Sequence, residues 1–479
     1  MRKISALMMI ALFWMACTAP TRPPIEHVRP AAEVDSERLA ATLSATVRIP
    51  SVTGSATTNF EAVESLLRRS FPLTFSRLAV ESFPGGSLLL EWPGRDQQRL
   101  PYLLLGHLDV VPVEAGTEPD WIFPPFSGEI AQGFVWGRGT LDCKTTVVTL
   151  LTAVEGLLAT GFSPERTVYL AFGADEEVGG QEGAAAIAAA LESRSVRFLF
   201  TLDEGNVIVS DIMPGLDRPA AIIGVAEKGY VTFELTARAP GGHSSMPPRS
   251  SAAGRLARAI VAVENSPMPG EIEGPTRAML ESIAPHLDTA TRLAIGALPL
   301  SEPLILQSYD ATPALSAQVR TTTAVTMVNA GTKENVLPQK AQAMVNFRLR
   351  PGDTAADVKA HLRRVIDDPG IEIAQRGKAN EASPVAALDS AGYQLVSDAI
   401  RQTFPEALIV PGLVVGGTDT RHYVRLAEAS LRFGPMRLGP TDLARIHGTN
   451  ERIAVDNLVE MTRFYRQLIL DADSNAPQP

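Results

Sequence analysis

The sequence predicts an α/β fold, in which a mostly parallel sheet carries helices on both faces and a smaller α+β domain is inserted into the larger one. Near-continuous apolar segments that alternate with segments of helical spacing are typical of buried parallel strands and their covering helices. The length of 479 residues favours two domains, because one hydrophobic core rarely accommodates so long a chain. The predicted buried strands are 101–112, 166–177 and 196–205, and the segments 145–160 and EGAAAIAAALES are predicted helices.

The pattern changes near residue 226, where the inserted domain is predicted to begin. Residues 229–242 alternate between apolar and polar side chains, as a half-exposed strand does, and a helical segment follows at 251–264. Further segments complete a β-α-β-β-α-β order, which indicates a ferredoxin-like sandwich with an extra strand near 322–329 and helical excursions around 270–320. The predicted domain ranges are 35–225 and 377–479 for the two parts of the larger domain, and 226–376 for the inserted lid domain.

The N-terminal segment has the features of an export signal. Two basic residues precede an apolar stretch that ends at Ala16, which is too short to span a bilayer and is typical of a signal peptide over residues 1–16. A cysteine directly after Ala16 is similar to a bacterial lipoprotein cleavage site. We therefore expect an exported bacterial protein, periplasmic or anchored to the membrane through a lipid on Cys17, with the Pro- and Ala-rich residues 17–34 as a tether.

The charge balance argues against nucleic acid as a partner. The chain has 43 basic and 53 acidic residues and a formal net charge of −10, which leaves no basic face to neutralise phosphates. Its two cysteines are Cys17 and Cys143, so no disulfide is expected if Cys17 carries lipid.

Groups with metal-ligand chemistry follow each of the three predicted strands. Because ligands gather at the carboxyl ends of parallel strands, side chains that are distant in sequence can converge there. Two histidines with several carboxylates suit a pair of borderline divalent ions, most plausibly zinc, and such cations would offset the repulsion within the DEE segment. The groups are His107 and Asp109 after the first strand, Asp142 before the helix at 145–160, Asp175, Glu176 and Glu177 after the second strand, and Asp203 and Glu204 after the third.

The histidines divide into two sets. A single histidine is more often structural than a metal ligand. Only histidines that occur together with the carboxylates of the predicted strand ends therefore indicate a metal site. Four of the seven lie in loops rich in glycine or small residues, namely His107, His243, His422 and His447. The other three lie in the tether or on predicted helices, namely His27, His286 and His361.

Nine motifs, in this order, make the chain similar to a known family. They extend from about residue 100 to about residue 450 and resemble those of the di-zinc exopeptidases, which include carboxypeptidase S, glutamate carboxypeptidase, aminoacylase and N-acyl-diaminopimelate deacylase. The last two motifs look most like the carboxypeptidase S branch, which also contains secreted hydrolases of N-fatty-acyl amino acids. The motifs are GHLDVVP, WGRGTLDCK, GADEEVGG, LDEG, GGHSSMPP, ENVLP, NFRLRPGD, GGTDTRHY and RIHGTNE.

The resemblance implies a centre that holds two divalent ions. Asp142 would bridge the ions. His107 and Asp203 would complete one site, and Glu177 and His447 would complete the other.

The resemblance also implies roles for residues beside the ions. Glu176 would be the general base rather than a ligand. Asp109 would accept the second ring N–H of His107 and fix its tautomer. His243, in the inserted domain, would donate to the tetrahedral oxyanion, and Asn335 and Arg348 would bind the substrate, since an arginine fork suits a free carboxylate.

Some assignments remain open at this level. Glu204 competes with Asp203 as a ligand, because in some relatives the glutamate of this segment coordinates the metal. Cys143 stands where the family often has Asp or Met, and its thiol is either an extra soft ligand or, more simply, a small buried side chain. Asp419 and His422 would either support other residues or face the substrate.

The implied reaction is hydrolysis of the amide between an acyl or peptidyl group and an amino acid with a free carboxylate. A zinc-bound hydroxide would attack the carbonyl, and Glu176 would transfer the proton to the leaving amine. Carboxypeptidase and N-acyl-amino-acid amidohydrolase action are the same reaction with different pockets. The alternatives are a catalytically inactive substrate-binding lipoprotein and a mononuclear zinc protease, although the chain has no HExxH segment. In several relatives the inserted domain dimerises, so the resemblance is compatible with a homodimer through the lid domain, which one sequence does not decide.

Overall fold

The computed structural model describes residues 33–55, 59–213 and 215–474. Residues from Val34 onward form one compact unit, and the ranges predicted for the two domains stay predictions. The predicted signal peptide, Cys17 and nearly all of the tether lie outside the described residues. Within the described residues, no helix is both long and apolar enough to cross a bilayer.

The helices and strands alternate along most of the chain. The helices are α1 (Ser36–Val47), α2 (Phe60–Ser70), α3 (Pro72–Arg77), α4 (Lys144–Ala159), α5 (Ala184–Ser193), α6 (Ala252–Glu264), α7 (Gly274–Ile283), α8 (Thr289–Gly296), α9 (Glu302–Tyr309), α10 (Pro313–Val319), α11 (Ala355–Ile366), α12 (Ala391–Thr403) and α13 (Val455–Ser474). The strands are β1 (Ala79–Ser82), β2 (Leu88–Trp92), β3 (Tyr102–His107), β4 (Ile130–Ala131), β5 (Phe134–Trp136), β6 (Val168–Gly173), β7 (Thr201–Asp203), β8 (Ile208–Val209), β9 (Ala220–Glu227), β10 (Gly229–Arg238), β11 (Gly242–His243), β12 (Thr322–Ala330), β13 (Val336–Leu337), β14 (Lys340–Leu349), β15 (Ile371–Asn380), β16 (Leu408–Val414), β17 (Ser430–Arg432), β18 (Arg437–Leu438) and β19 (Arg452–Ala454).

The central sheet has ten strands in the order β1-β2-β6-β3-β7-β17-β9-β8-β18, with β16 beside β9. Strand β3 lies between β6 and β7 and is parallel to both, and β7 is parallel to β17. The antiparallel pairs lie towards the two sides of the sheet, for example β1 with β2 and β8 with β9. The predicted α/β class, a mostly parallel sheet with helices on both faces, is confirmed.

Alternate residues of the central strands pack into different layers. Leu104 belongs to the larger core, which includes Val147 of α4, whereas Leu103 and Leu105 pack with Ile187 of α5. Every residue of β3 and β6 is buried. This burial on both faces explains why these strands are almost uniformly apolar in sequence.

The insert contains a separate antiparallel sheet with the order β12-β14-β10-β15. Because β10, β12, β14 and β15 follow one another in the chain with α6 and α11 between them, this order is that of a ferredoxin-like sandwich, as predicted. Alternate residues of β14 are buried, and Phe347 packs with Phe233 of β10, Leu256 of α6 and Leu362 of α11 in a second core. Strand β12 is an edge strand, and Met327 and Val328 on it are exposed.

Two parts of the secondary structure differ from the sequence-based expectation. The strand predicted over 196–205 is reduced to β7, which pairs with three residues of β17 and two of β3. The small sheet of β4, β5 and β19 was not predicted, since strands of two or three residues are too short to show a periodicity.

Candidate metal centre

The three segments with acidic or histidine residues meet at one edge of the central sheet. Strand β3 ends at His107, β7 ends at Asp203, and β6 ends at Gly173, just before the DEE turn. Because β3 pairs with both β6 and β7 in parallel, these three ends are neighbours in space. The convergence expected from the sequence is therefore present.

Asp142 lies between two histidines that are far apart in sequence. Its Oδ1 is 2.9 Å from Nε2 of His107, and its Oδ2 is 3.0 Å from Nε2 of His447. Oε2 of Glu177 is 3.4 Å from the same nitrogen of His447. Each oxygen of one carboxylate thus faces a different histidine, which is the arrangement required of a ligand shared by two cations.

The chemistry of this group fits divalent cations. The ligand atoms of Asp142, Glu177 and His447 all lie within 4.8 Å of one another, and the same holds for His107, Asp142 and Cys143. Oε1 of Glu177 is buried and has no hydrogen-bond partner in the described part of the chain, which leaves it available to a ligand. Nitrogen and oxygen donors in this combination suit zinc and similar ions.

The electrostatics of the group favour positive charge. Hydrogen bonds to Asp142 and Glu177 raise the pKa of His447 to about 10. Burial opposes the charge of Asp142, yet hydrogen bonds from His107 and His447 hold the pKa of its carboxyl well below the usual range. The carboxylate of Asp142 therefore stays ionised and attracts a cation.

Asp203 and Glu204 occupy different surroundings. Asp203 accepts hydrogen bonds at Oδ2 from the amide and hydroxyl of Thr420, both at 2.8 Å, and at Oδ1 from the amide of Glu204 at 2.9 Å. Burial and then the negative charge of Asp142 raise the pKa of Glu204 well above its usual value. The carboxyl of Glu204 is therefore close enough to Asp142 to interact with it electrostatically. Both residues remain candidates for the fifth ligand.

Asp109 mainly orders the DEE turn. Its Oδ1 accepts the amide N–H of Glu176 and its Oδ2 that of Glu177, both at 3.1 Å. Nδ1 of His107 is 3.0 Å from the backbone carbonyl of Asp109 and 3.5 Å from its carboxylate. The second ring N–H of His107 is therefore closer to a backbone acceptor than to the predicted carboxylate.

Glu176 is set apart from the other acids of the turn. Its side chain is 10% exposed, and burial raises the pKa of its carboxyl to about 8. Nη2 of Arg421 is 4.0 Å from Oε1 of Glu176. By contrast, both carboxylate oxygens of Asp175 accept backbone amides, those of Glu182 and Gly183, so Asp175 is structural.

The loop that carries Asp142 and the loop that carries His447 are joined by Glu451, which the sequence analysis did not identify. Oε1 of Glu451 accepts the amide N–H groups of Gly139, Leu141 and Asp142 at 3.0, 2.7 and 3.3 Å. This completely buried carboxylate therefore fixes the backbone that presents the shared aspartate.

Arg138 completes this connection. It pairs with Oε2 of Glu451 at 2.7 Å and donates to the backbone carbonyl of His447 at 3.1 Å. His447 has a φ of 60°, a left-handed conformation that is costly for a non-glycine residue, so external support of its backbone is needed.

Cys143 has the surroundings of a structural side chain. It is completely buried, and its Sγ accepts the amide N–H of His107 at 3.2 Å. Burial raises the pKa of the thiol well above its usual value, which disfavours the thiolate that a metal would require.

The candidate residues of the insert lie on its short ribbon and on β14. His243 pairs with Val336 across the β11–β13 ribbon, and the carbonyl of the neighbouring Asn335 accepts the amide of Ser244. The amide N–H of Ser245 donates to Nδ1 of the exposed His243 at 3.1 Å. Nδ1 is thus an acceptor, and in the neutral ring Nε2 carries the proton and is free to donate.

Arg348 and the GGTDTRHY loop approach each other. The guanidinium of Arg348 lies over the ring of Tyr230, 5.0 Å from its centroid, and close to Gly417. Asp419 is buried, and burial raises the pKa of its carboxyl well above the usual value. His422 faces the carbonyl of Gly179, with Nε2 at 3.2 Å. His422 therefore connects this loop to the DEE turn, whereas Oδ1 of Asp419 has no hydrogen-bond partner among the described residues.

Comparison with known proteins agrees with this geometry. The model of peptidase family M20/M25/M40 matches residues 103–471. The chain is 40% identical to an N-fatty-acyl-amino acid synthase/hydrolase of Danio rerio, covering 91% of this chain and 86% of that protein. It is 39% identical to the probable carboxypeptidase S-like 2 of Dictyostelium discoideum, covering 86% of this chain and 80% of that protein.

Solved structures support the fold. The M20 family metallo-carboxypeptidase Sso-CP2 of Sulfolobus solfataricus aligns with a TM-score of 0.66 and 18% identity, over 90% of this chain and 98% of that one. The family expected from the nine motifs is therefore confirmed, and with it a divalent metal. This chain belongs to peptidase family M20/M25/M40 and is a metal-dependent hydrolase.

Proposed function

We propose that the protein hydrolyses the amide between an acyl or peptidyl group and an amino acid with a free α-carboxylate. The single observation that carries this proposal is the position of Asp142 between His107 and His447, with the buried Glu176 on the adjacent turn. The relatives named N-fatty-acyl-amino acid synthase/hydrolase and carboxypeptidase S-like 2 support this class of substrate.

Two divalent zinc ions fit this centre. Asp142 would be shared, with His107 and Asp203 or Glu204 on one side and Glu177 and His447 on the other. A bound pair of ions supplies an activated water and polarises the scissile carbonyl. Two groups of candidate ligands share Asp142, one with His107 and the other with Glu177 and His447, and this sharing supports two ions rather than one.

Glu176 is proposed to move the proton. Burial raises the pKa of its carboxyl to about 8, so the group can both take a proton from water and return it near neutral pH. The backbone amides of Glu176 and Glu177 donate to the carboxylate of Asp109, which fixes the backbone of the turn that carries Glu176. The proton would pass to the nitrogen of the leaving amine.

The insert is proposed to complete the site. His243 would donate through Nε2 to the oxyanion, and Asn335 and Arg348 would hold the substrate. Export, lipid attachment at Cys17 and dimerisation through the insert remain parts of the proposal, with small N-acyl amino acids or peptides as the substrates.

A substrate screen tests the proposed activity. Metal-loaded protein is incubated with N-acyl amino acids of increasing chain length and with dipeptides, and the released amino acid is measured. We expect hydrolysis that chelation abolishes and zinc restores. A long acyl chain as the best substrate would favour N-fatty-acyl-amino-acid hydrolysis, and a dipeptide would favour carboxypeptidase action. Substrate binding without any hydrolysis would favour the inactive binding protein instead.

A further inference from the structure

Glu227, the last residue of β9 in the central sheet, is a buried carboxylate that binds the GGTDTRHY loop. Its side chain is 3% exposed. Oε2 of Glu227 accepts the amide N–H of Thr418 at 3.0 Å and the hydroxyl of Thr418 at 2.8 Å. Because both donors belong to one residue, this carboxylate fixes the backbone and the side chain of Thr418 together.

The same loop binds the metal centre two residues further along the chain. The amide and the hydroxyl of Thr420 donate to Oδ2 of Asp203, both at 2.8 Å. Oδ1 of Asp203 accepts the amide N–H of Glu204 at 2.9 Å. The hydrogen bonds that begin at Glu227 therefore reach both candidates for the fifth ligand.

Glu227 is itself held by buried contacts on several sides. Its amide N–H donates to Oγ of Ser383 at 2.9 Å, and its carbonyl accepts the amide N–H of Ser383 at 3.0 Å. In the sheet it pairs with Val414 of β16. Its Oε2 is 3.3 Å from Nε of Arg432, a completely buried arginine at the end of β17. These contacts make Glu227 a rigid support for the loop.

Arg432 connects Glu227 to the metal centre by a second route. In the parallel pair of β7 and β17, Arg432 lies opposite Asp203. The amide N–H of the next residue, Phe433, donates to the carbonyl of Asp203 at 2.8 Å. The backbone of Asp203 is thus fixed by β17, its carboxylate is fixed by the GGTDTRHY loop, and both β17 and the loop contact Glu227.

We propose that Glu227 is a positioning residue of the metal centre, which holds the GGTDTRHY loop through Thr418 and thereby orients Asp203. This inference rests on the metal centre of the proposed function. It assigns to Glu227, on the Asp203 side, the role that Glu451 has for the loop of Asp142. Because outer hydrogen bonds orient the groups that bind a metal, loss of this support should weaken metal binding.

A purely structural role for Glu227 would be to neutralise Arg432 in the core, and the variant Thr418→Val separates the two roles. It removes the hydroxyl that donates to Glu227 and leaves the buried ion pair with Arg432 intact. This matters because breaking a buried ion pair is strongly destabilising, so Glu227→Gln alone is not decisive. A purely structural role affects the melting temperature of the metal-free protein and leaves its metal affinity unchanged.

The experiment measures metal binding by full-length protein rather than turnover. Metal-free protein is titrated with zinc in competition with a chromophoric chelator, and the visible absorption of the Co²⁺-loaded protein reports the geometry around the metal. Thr418→Val and Glu227→Gln weaken the first link, and Thr420→Val weakens the link to Asp203. Thr462→Val is the matched control, because Thr462 is also buried and its hydroxyl donates to a backbone carbonyl within α13. The melting temperature of each metal-free variant is measured in parallel.

We expect Thr418→Val to lower the zinc affinity about 2- to 10-fold, the equivalent of one hydrogen bond. Thr420→Val and Glu227→Gln should lower it about 10- to 100-fold, and the cobalt spectrum should change in all three variants. The double variant of Thr418→Val with Glu227→Gln should bind zinc no more weakly than Glu227→Gln, because both substitutions act on one link. Thr462→Val should match the wild type.

The result for Thr418→Val decides the proposal, even if Glu227→Gln does not fold. A wild-type zinc affinity and cobalt spectrum in Thr418→Val would overturn the positioning role and leave Glu227 as the partner of Arg432. An equal loss of zinc affinity in Thr462→Val would also overturn it, because the effect would then not depend on this link.

Hydrolysis of an N-acyl amino acid by the wild type is measured separately, which distinguishes failure of the positioning role from failure of the proposed function. If the wild type cleaves no amide but Thr418→Val loses zinc affinity, the proposed function fails and the positioning role stands. If the wild type cleaves the amide and Thr418→Val keeps the wild-type zinc affinity, the positioning role fails and the proposed function stands.

Discussion

Two regions of the molecule differ in how many protein contacts hold their polar residues. One is the edge of the central sheet where β3, β6 and β7 end, and the other is the exposed β11–β13 ribbon of the insert. At the sheet edge, Asp142 contacts two histidines, and its backbone is bound to a buried glutamate. On the insert, the exposed ring of His243 has hydrogen bonds only from the nearby Ser245, among the described residues.

This difference indicates which contacts exist before the substrate binds. The centre is ordered by buried protein contacts, so its geometry does not depend on the substrate. His243 and Arg348 lack such partners, and their interactions must come from the substrate or from movement of the insert. Substitutions at the sheet edge should therefore change chemistry or metal affinity, whereas substitutions on the insert should change substrate binding or turnover and leave the metal content unchanged.

Glu176→Gln should have the largest effect on turnover. The amide cannot accept the proton, so we expect kcat to fall at least about 10²- to 10⁴-fold, while zinc content stays at the wild-type value. The measurement is kcat together with metal analysis of the purified variant. Glu182→Gln, an exposed acid on the same turn, is the control. Normal turnover in Glu176→Gln would remove this residue from the role of base.

His243→Ala should lower kcat about 10²- to 10³-fold, the usual cost of losing one oxyanion donor. Zinc content and melting temperature should not change, because His243 is exposed and contacts no residue of the centre within the described chain. Steady-state kinetics and thermal melting check both expectations. Loss of zinc from this variant would contradict the expectation that the insert takes no part in metal binding.

Glu451→Gln should weaken zinc binding rather than the chemical step. The uncharged amide loses the ion pair with Arg138 and weakens the three amide contacts that fix the Asp142 loop. Loss of such supporting contacts typically costs about 10- to 100-fold in metal affinity. Competition with a chromophoric chelator gives the zinc affinity. An unchanged affinity with reduced kcat would show that Glu451 acts elsewhere.

The smallest expected effect is on the pH dependence of stability. In metal-free protein, burial raises the pKa of Glu176 to about 8, and hydrogen bonds to Asp142 and Glu177 raise that of His447 to about 10. Both pKa values in the folded protein lie above those of the free side chains. The contribution of these two protonated groups to the free energy of unfolding is therefore present at low pH and is lost as the pH rises through the folded pKa values. Zinc replaces the protons, and the gain in melting temperature on adding zinc should grow by a few degrees from about pH 6 to about pH 9. A constant gain would contradict this charge balance.

Much of the fold and the main ligand candidates could be predicted from the sequence. The apolar strands with acids at their ends predicted the edge at which His107 and Asp142 meet, and the motif order added His447. The alternation over residues 229–242, which contain β10, predicted where the insert begins.

Other features could not be predicted, because they depend on contacts between distant segments. Glu451 appears in sequence as a polar loop residue, yet its carboxylate binds backbone amides more than 300 residues away. Arg421 gives a similar lesson, since its proximity to Arg348 arises only when the insert lies beside the GGTDTRHY loop. The contacts of Asp203 with Thr420 are likewise absent from any local pattern.

Metal stoichiometry of the wild type and of Asp142→Ala is the most direct test of the shared carboxylate. Both proteins are loaded with zinc, freed of excess metal and analysed for zinc per chain. If Asp142 joins two ions, the wild type should retain two zinc ions per chain and Asp142→Ala should lose both. The control variant Glu182→Gln should retain two zinc ions per chain. A wild type with one zinc per chain, or a variant that loses only one of two, would contradict the account.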